Sequence, residues 1–234
     1  MNKKKTITML ILKLLCVILF PLSYIIDPKF SGEITFFTVQ SNLFVLVMMI
    51  IFSIYDILKL QGKFITTPKY LYKIKLVSTT AISLTFIIFG IVLTPILIRD
   101  GRPDVVLSYS SIVMHQFIPI VAIVDWILDE HEEQISFYFT PISVSFPLYY
   151  FIFTLIASNC GVTYPSYENG VAFRDNVPYF FLDYDKYGWF EIDGYKLGVA
   201  YWLVIITLGV LLMSFLLILI KNLQFIYKNK KAIR

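Results

Sequence analysis

Charge, cysteine and histidine are all scarce in these 234 residues. Charged side chains make up only 15 %, with two cysteines and two histidines. Soluble domains average about 25 % charged residues, so a water-facing globule is a poor fit. Two cysteines exclude a small disulfide scaffold, and Cys16 and Cys160 fall in segments expected at different membrane depths, which argues against their pairing. There is no CxxC pair, P-loop, GxGxxG or GxSxG elbow. His115 and His131 stand sixteen residues apart and lack zinc spacing, so neither a metal nor a cofactor is expected.

Apolar residues, by contrast, make up 58 %, with 21 Phe, 16 Tyr and 3 Trp. That excludes disorder and leaves an integral membrane protein. A bilayer core of about 30 Å needs roughly 20 mainly apolar residues in helical form. Six stretches qualify: 7–26, 34–58, 76–98, 105–128, 135–157 and 197–220. They are continuous runs, not the alternating segments of a membrane β-barrel. The expected fold is an all-α, single-domain bundle of six transmembrane helices over residues 1–234, with a long outer loop at 158–196. The first stretch follows Lys3, Lys4 and Lys5 as a signal peptide would. It lacks a small-x-small cleavage site and stays apolar past Pro21, so it reads as a retained helix.

Cation distribution orients the bundle. With the N-terminus in the cytoplasm, the inner segments hold 13 cations, from Lys3–Lys5, the 59–75 stretch and the C-terminal tail. The outer segments hold 6: Lys29, Arg99, Arg102, Arg174, Lys186 and Lys196. The positive-inside rule therefore predicts a multi-pass plasma-membrane protein with both termini cytoplasmic. The net charge of +4 is accounted for by anionic lipid, without a nucleic acid partner. Lys13 is expected to snorkel to the inner face, Asp56 to be solvated at the rim, and His131 to lie in a solvated acidic turn.

Polar side chains at bilayer depth mark either interhelical hydrogen bonding or function. Thr38, Ser41 and Asn42 share one face of the second span, whereas Gln40 points elsewhere. In the fourth span Ser108, Ser111 and His115, the only intramembrane histidine, form a stripe running on toward Asp125 and Trp126. Pro119 withdraws a helix bond near His115. Thr79, Thr80 and Ser83 read as packing contacts, and Thr94-Pro95 as a kink or helix stop. Thr38 lies four residues and His115 ten residues into their spans, an axial offset of roughly 9 Å that tilt can reduce.

Phe37-Thr38-Val39-Gln40-Ser41-Asn42 resembles the F-T-x-Q-S-N signature of the Pr6Pr family of six-helix bacterial membrane proteins. His115-x-x-x-Pro119 with Asp125-Trp126, and Pro178-Tyr179-Phe180-Phe181-Leu182-Asp183 with Gly188, resemble its later motifs in the same order. Val177 and Phe180 depart from that pattern, where Tyr and a second Pro are expected. More distantly, the chain is similar to the androgen-induced and androgen-dependent transmembrane proteins, which hydrolyse esters of fatty acids with hydroxy fatty acids. That resemblance implies Thr38 as nucleophile and His115 as base, without a cofactor.

Such chemistry needs a base to take the threonine proton and a donor for the oxyanion, for which Asn42 or Ser41 is the candidate. Gln40, Ser111 and Asp125 are supporting polar residues, although Asp125 is too far along its helix to orient His115. The substrate would be a membrane lipid ester admitted laterally, with the aromatic loop 164–189 as a lid. The competing expectation is a non-enzymatic protein, a small-solute or lipid transporter or an assembly factor, whose polar residues only pack helices. Lack of paired broken helices or a membrane-centre carboxylate weighs against transport.

Overall fold

A computed structural model describes residues 3–28, 33–63, 66–129, 134–168, 171–193 and 196–232. Lys29, Glu130, His131, Glu132, Glu133 and Arg234 lie outside the described residues. The chain folds as an all-α bundle of six helices long and apolar enough to cross a membrane: α1 Lys3–Ile26, α2 Phe37–Leu60, α3 Lys69–Arg99, α4 Tyr109–Leu128, α5 Phe137–Asn159 and α6 Val199–Lys230. It is a multi-pass integral membrane protein. Because the spans are even in number, the start of α1 and the end of α6 lie at the same end of the bundle. Large apolar side chains such as Ile11, Ile18, Val47, Ile91, Leu148 and Leu212 point outward along several helices, as a lipid-facing belt requires.

Boundaries differ from the sequence reading where local signals compete with hydropathy. The second helix begins at Phe37, three residues later than expected, and α3 begins at Lys69, seven earlier. Residues 103–106 form a separate helical turn before α4. Thr94-Pro95 does not stop α3, which continues to Arg99.

The third helix is the centre of the bundle, contacting α2, α4, α5 and α6. Its buried face carries Ser78, Thr79, Thr80, Ser83 and Thr85. Small hydroxyl residues let helix backbones approach closely and supply interhelical bonds. Ser143 of α5, for example, hydrogen-bonds Ser214 of α6 at 2.9 Å and accepts from Thr80 at 3.4 Å.

The loop between α5 and α6 is more ordered than an unstructured lid. It contains an antiparallel hairpin, β1 Tyr164–Glu168 with β2 Val171–Asp175, in which Tyr164 pairs with Asp175. Val177, Phe181 and Leu182 then tuck into an apolar cluster with Phe37 of α2, Ala81 of α3 and Tyr150 of α5. The loop is thereby strapped over the start of α2.

Candidate functional site

Thr38 is the second residue of α2, and its hydroxyl lies 3.3 Å from Nε2 of His115 on α4. Both side chains are half-buried. The other ring nitrogen, Nδ1, lies 3.2 Å from the Ser111 carbonyl. A carbonyl oxygen only accepts, so Nδ1 carries the proton and Nε2 is bare. The Thr38 O–H therefore donates to Nε2. This is the arrangement in which an imidazole takes a proton from a hydroxyl nucleophile.

The backbone around both residues is unusual. Val113–Phe117 and Ile88–Leu93 are π-helical turns. In the first, Ile118 N–H bonds the Val113 carbonyl. The next such bond, to Met114, would need an N–H from Pro119, which has none. Asn42 supplies the missing donor: its amide Nδ2 lies 3.1 Å from the Met114 carbonyl and 2.7 Å from the Thr38 carbonyl. One fully buried side chain thus fixes α2 against α4 at the level of Thr38 and His115. The turn in α3 repeats the pattern, with Thr94 N–H on the Phe89 carbonyl and Pro95 following. Widened turns of this kind are frequent at functional sites. Here they bring Phe89 face to face with His115, ring centres 3.7 Å apart and planes 14° from parallel.

Ser41 and Asn42 do not serve as oxyanion donors. Asn42 gives both amide hydrogens to carbonyls. Ser41 donates to the Thr38 carbonyl at 3.1 Å and hydrogen-bonds Thr85 of α3 at 2.8 Å. Gln40 is half-buried and its Oε1 meets no protein donor. Ser111 acts through its backbone, as the carbonyl that sets the His115 tautomer.

Beside Thr38 lies a cavity of about 190 Å³. It runs between α2, α3, α5, α6 and the loop, with Leu84, Ile88, Leu93, Val144, Leu148, Phe151, Leu203 and Ile206 among its walls. No charged side chain lines it among the described residues, and its hydroxyls belong to Thr38, Thr85, Tyr150, Tyr179 and Thr207. Leu148 is 53 % exposed on the lipid-facing side, so the cavity wall reaches the outer surface of the bundle.

Tyr179, on the loop, was not marked as a site residue by the sequence. Its ring stacks on Phe181 at 5.2 Å and meets Phe36 edge-on. Burial pushes its phenol up to about 12, against the opposing pull of hydrogen bonding from the Thr38 side chain and the backbone of Thr38 and Phe37.

Asp125 belongs elsewhere. At the termini end of the bundle, Lys13 of α1 lies 2.5 Å from Asp56 of α2 and 3.4 Å from Asp125 of α4. Lys75 of α3 lies 2.7 Å from Asp125 and 2.8 Å from Asp129. Lys221 of α6 reaches the Ile127 and Asp129 carbonyls. Lys13 does not snorkel, being 2 % exposed, and Asp56 is not simply solvated. In a water-poor interior each charge takes the nearest opposite partner. The network balances three lysines against three aspartates and reaches five helices. Among the described residues no three His, Cys, Asp or Glu side chains group to hold a metal.

No family model matches the chain, and no match was found among curated proteins or solved structures.

Proposed function

We propose that the protein is an intramembrane hydrolase of lipid acyl esters, with Thr38 as nucleophile and His115 as general base. The observation that carries this reading is the Thr38 hydroxyl donating to a bare Nε2 beside an uncharged, apolar cavity. A packing histidine needs only a satisfied ring. Here the Ser111 carbonyl, the Phe89 ring and the Asn42 brace together present Nε2 to a hydroxyl next to empty space, and such preorganisation is what proton transfer requires.

The cavity supports an acyl chain as the group bound. Its walls offer apolar contact and no counter-charge for a free carboxylate. From Leu84 to Leu93 it follows α3 for roughly 13 Å at 1.5 Å per residue. The resemblance to Pr6Pr proteins and, more distantly, to Thr-His lipid hydrolases is consistent with this chemistry. We further propose that the lysine-rich termini end faces the cytoplasm of a plasma membrane, which puts Thr38 in the outer leaflet.

The test is turnover of a panel of lipid and p-nitrophenyl esters by the purified protein in detergent micelles. Wild type is expected to hydrolyse at least one medium- or long-chain ester, and Thr38→Ala and His115→Ala to lose that activity. Wild-type rates in both variants, or an inert wild type across the panel, contradict the reading.

A further inference from the structure

We propose that Tyr179 is the oxyanion donor of this site: its phenol O–H, backed by the first N–H groups of α2, hydrogen-bonds the ester carbonyl oxygen as Thr38 attacks. The proposal rests on the hydrolase reading and completes it, since Ser41 and Asn42 have their hydrogens committed elsewhere.

The first N–H groups of a helix have no partner within it. Phe36, at the N-cap of α2, provides no side-chain cap. Tyr179 lines the same cavity as Phe37 and Thr38 at that helix start, where hydrogen bonding from the Thr38 side chain and the backbone of Thr38 and Phe37 opposes the effect of burial on its phenol. An oxygen that accepts backbone N–H groups has one proton left to give. Thr38 has already given its own hydrogen to His115, so its oxygen is free to accept. In the proposed relay the backbone N–H groups donate to Tyr179, Tyr179 to Thr38, and Thr38 to Nε2. Hydrogen bonds in series polarise one another, so the phenol is a stronger donor than an isolated tyrosine.

During attack the Thr38 oxygen bonds the carbonyl carbon while its proton moves to Nε2. The carbonyl π pair moves onto its oxygen. The Thr38 lone pair that accepted the phenol proton is now in the new C–O bond, and that proton turns to the oxyanion on the same carbon. Collapse re-forms the carbonyl and breaks the bond to the alcohol oxygen, which leaves with the proton from His115. Water then attacks the acyl-threonine by the same route, releasing the acid and restoring Thr38.

A swinging plug would be loosely held. Tyr179 is instead packed parallel to Phe181, with planes 2° apart, and sits edge-on to Phe36. Its neighbours Val177, Phe181 and Leu182 are buried. A donor fixed in place before the charge develops is the kind that lowers a barrier. Because the phenol is pushed up to about 12, it keeps its proton throughout the neutral range.

The experiment uses the full chain in micelles, p-nitrophenyl octanoate as substrate and an alkyl trifluoromethyl ketone as tetrahedral analogue. Tyr179→Phe is expected to lower kcat about 100- to 1,000-fold, to change KM less than about threefold, and to weaken the ketone by a similar factor to kcat. Fluorotyrosine at position 179 keeps the ring and hydroxyl, and is expected to bring an alkaline loss of kcat to lower pH as the phenol ionises. Wild-type kcat and ketone affinity in Tyr179→Phe, with Thr38→Ala inactive, overturn the oxyanion role and leave the Thr38–His115 reading standing. A rise in kcat overturns it too, by making Tyr179 a plug, as does a change in KM alone. If Tyr179→Phe fails to fold, an unchanged pH profile in the fluorotyrosine protein overturns it. An inert wild type overturns both readings.

Discussion

Phe89 and His115 lie face to face, ring centres 3.7 Å apart, and each occupies a π-helical turn followed by a proline. The two widened turns rotate these side chains toward each other across the α3–α4 contact. Phe89 thus fixes the plane of the imidazole while Ser111 fixes its tautomer.

Phe89→Leu keeps a buried apolar side chain and removes the flat surface. Aromatic pairs contribute about 1 kcal/mol beyond area burial, and 1.4 kcal/mol corresponds to a factor of ten. A fall in kcat of about fivefold with little change in KM is expected from initial rates on a p-nitrophenyl ester. An unchanged kcat would mean that the ring does not position His115.

Asn42→Ala removes the donor that joins α2 to α4 at Met114, together with the bond to the Thr38 carbonyl within α2, and leaves the Met114 carbonyl without a partner. Interhelical hydrogen bonds in membranes average about 0.6 kcal/mol, and an orphaned buried acceptor costs about 1–3 kcal/mol. Equilibrium unfolding in mixed micelles should show a loss of about 2 kcal/mol, with catalysis impaired as well. Ser41→Ala, after which the Thr38 carbonyl keeps its bond from Asn42, should cost less.

The charge network makes a different prediction. Lys75→Met leaves Asp125 with Lys13 alone and takes the side-chain partner from Asp129, and breaking a buried pair from one side costs about 3–5 kcal/mol. Replacing Lys75 and Asp125 together by apolar residues should recover part of that loss in the same unfolding assay. If the double variant is no better than the single one, the two charges are not coupled.

Asp129 gives the network its pH dependence. Burial would raise its pKa, but the Lys75 ammonium outweighs that and holds the carboxyl below its usual value. A depressed carboxylate stabilises the fold above its unfolded pKa, and the gain disappears as pH falls through the lower folded value. Its stabilisation should therefore be complete at neutral pH and fade only below about 3.9. Thermal midpoints of wild type and Asp129→Asn should converge there, and a constant gap down to lower pH would exclude the pairing.

Both cysteines are free, with Cys16 buried and Cys160 exposed at the hairpin end. A membrane-impermeant maleimide should label Cys160 on intact cells, and label a cysteine introduced at Lys228 only after permeabilisation. The reverse pattern would invert the orientation and move the site to the inner leaflet.

Much of this was legible in the sequence because lipid imposes a simple rule: about 20 apolar residues for each crossing. The polar face of Thr38, Ser41 and Asn42 followed from helical spacing, and His115 was conspicuous as the only histidine in a span. Sequence could not show that α2 and α4 are neighbours, nor bring Phe89 to the imidazole. A π turn shifts facing by one residue and leaves only a proline as its trace. Lys13 and Asp56 were misread because charges near helix ends are ordinarily solvated, and their burial depends on five helices converging. Tyr179 was hidden because loop geometry has no periodicity. Its aromatic neighbours were visible as a motif and an aromatic loop, but not as a strap onto α2.

The most direct test of the central claim is mass spectrometry of the protein after reaction with a long-chain fluorophosphonate. The account predicts one adduct, on the peptide containing Thr38, absent from Thr38→Ala and strongly slowed in His115→Ala. An adduct on another residue, or equal labelling of all three proteins, would contradict it.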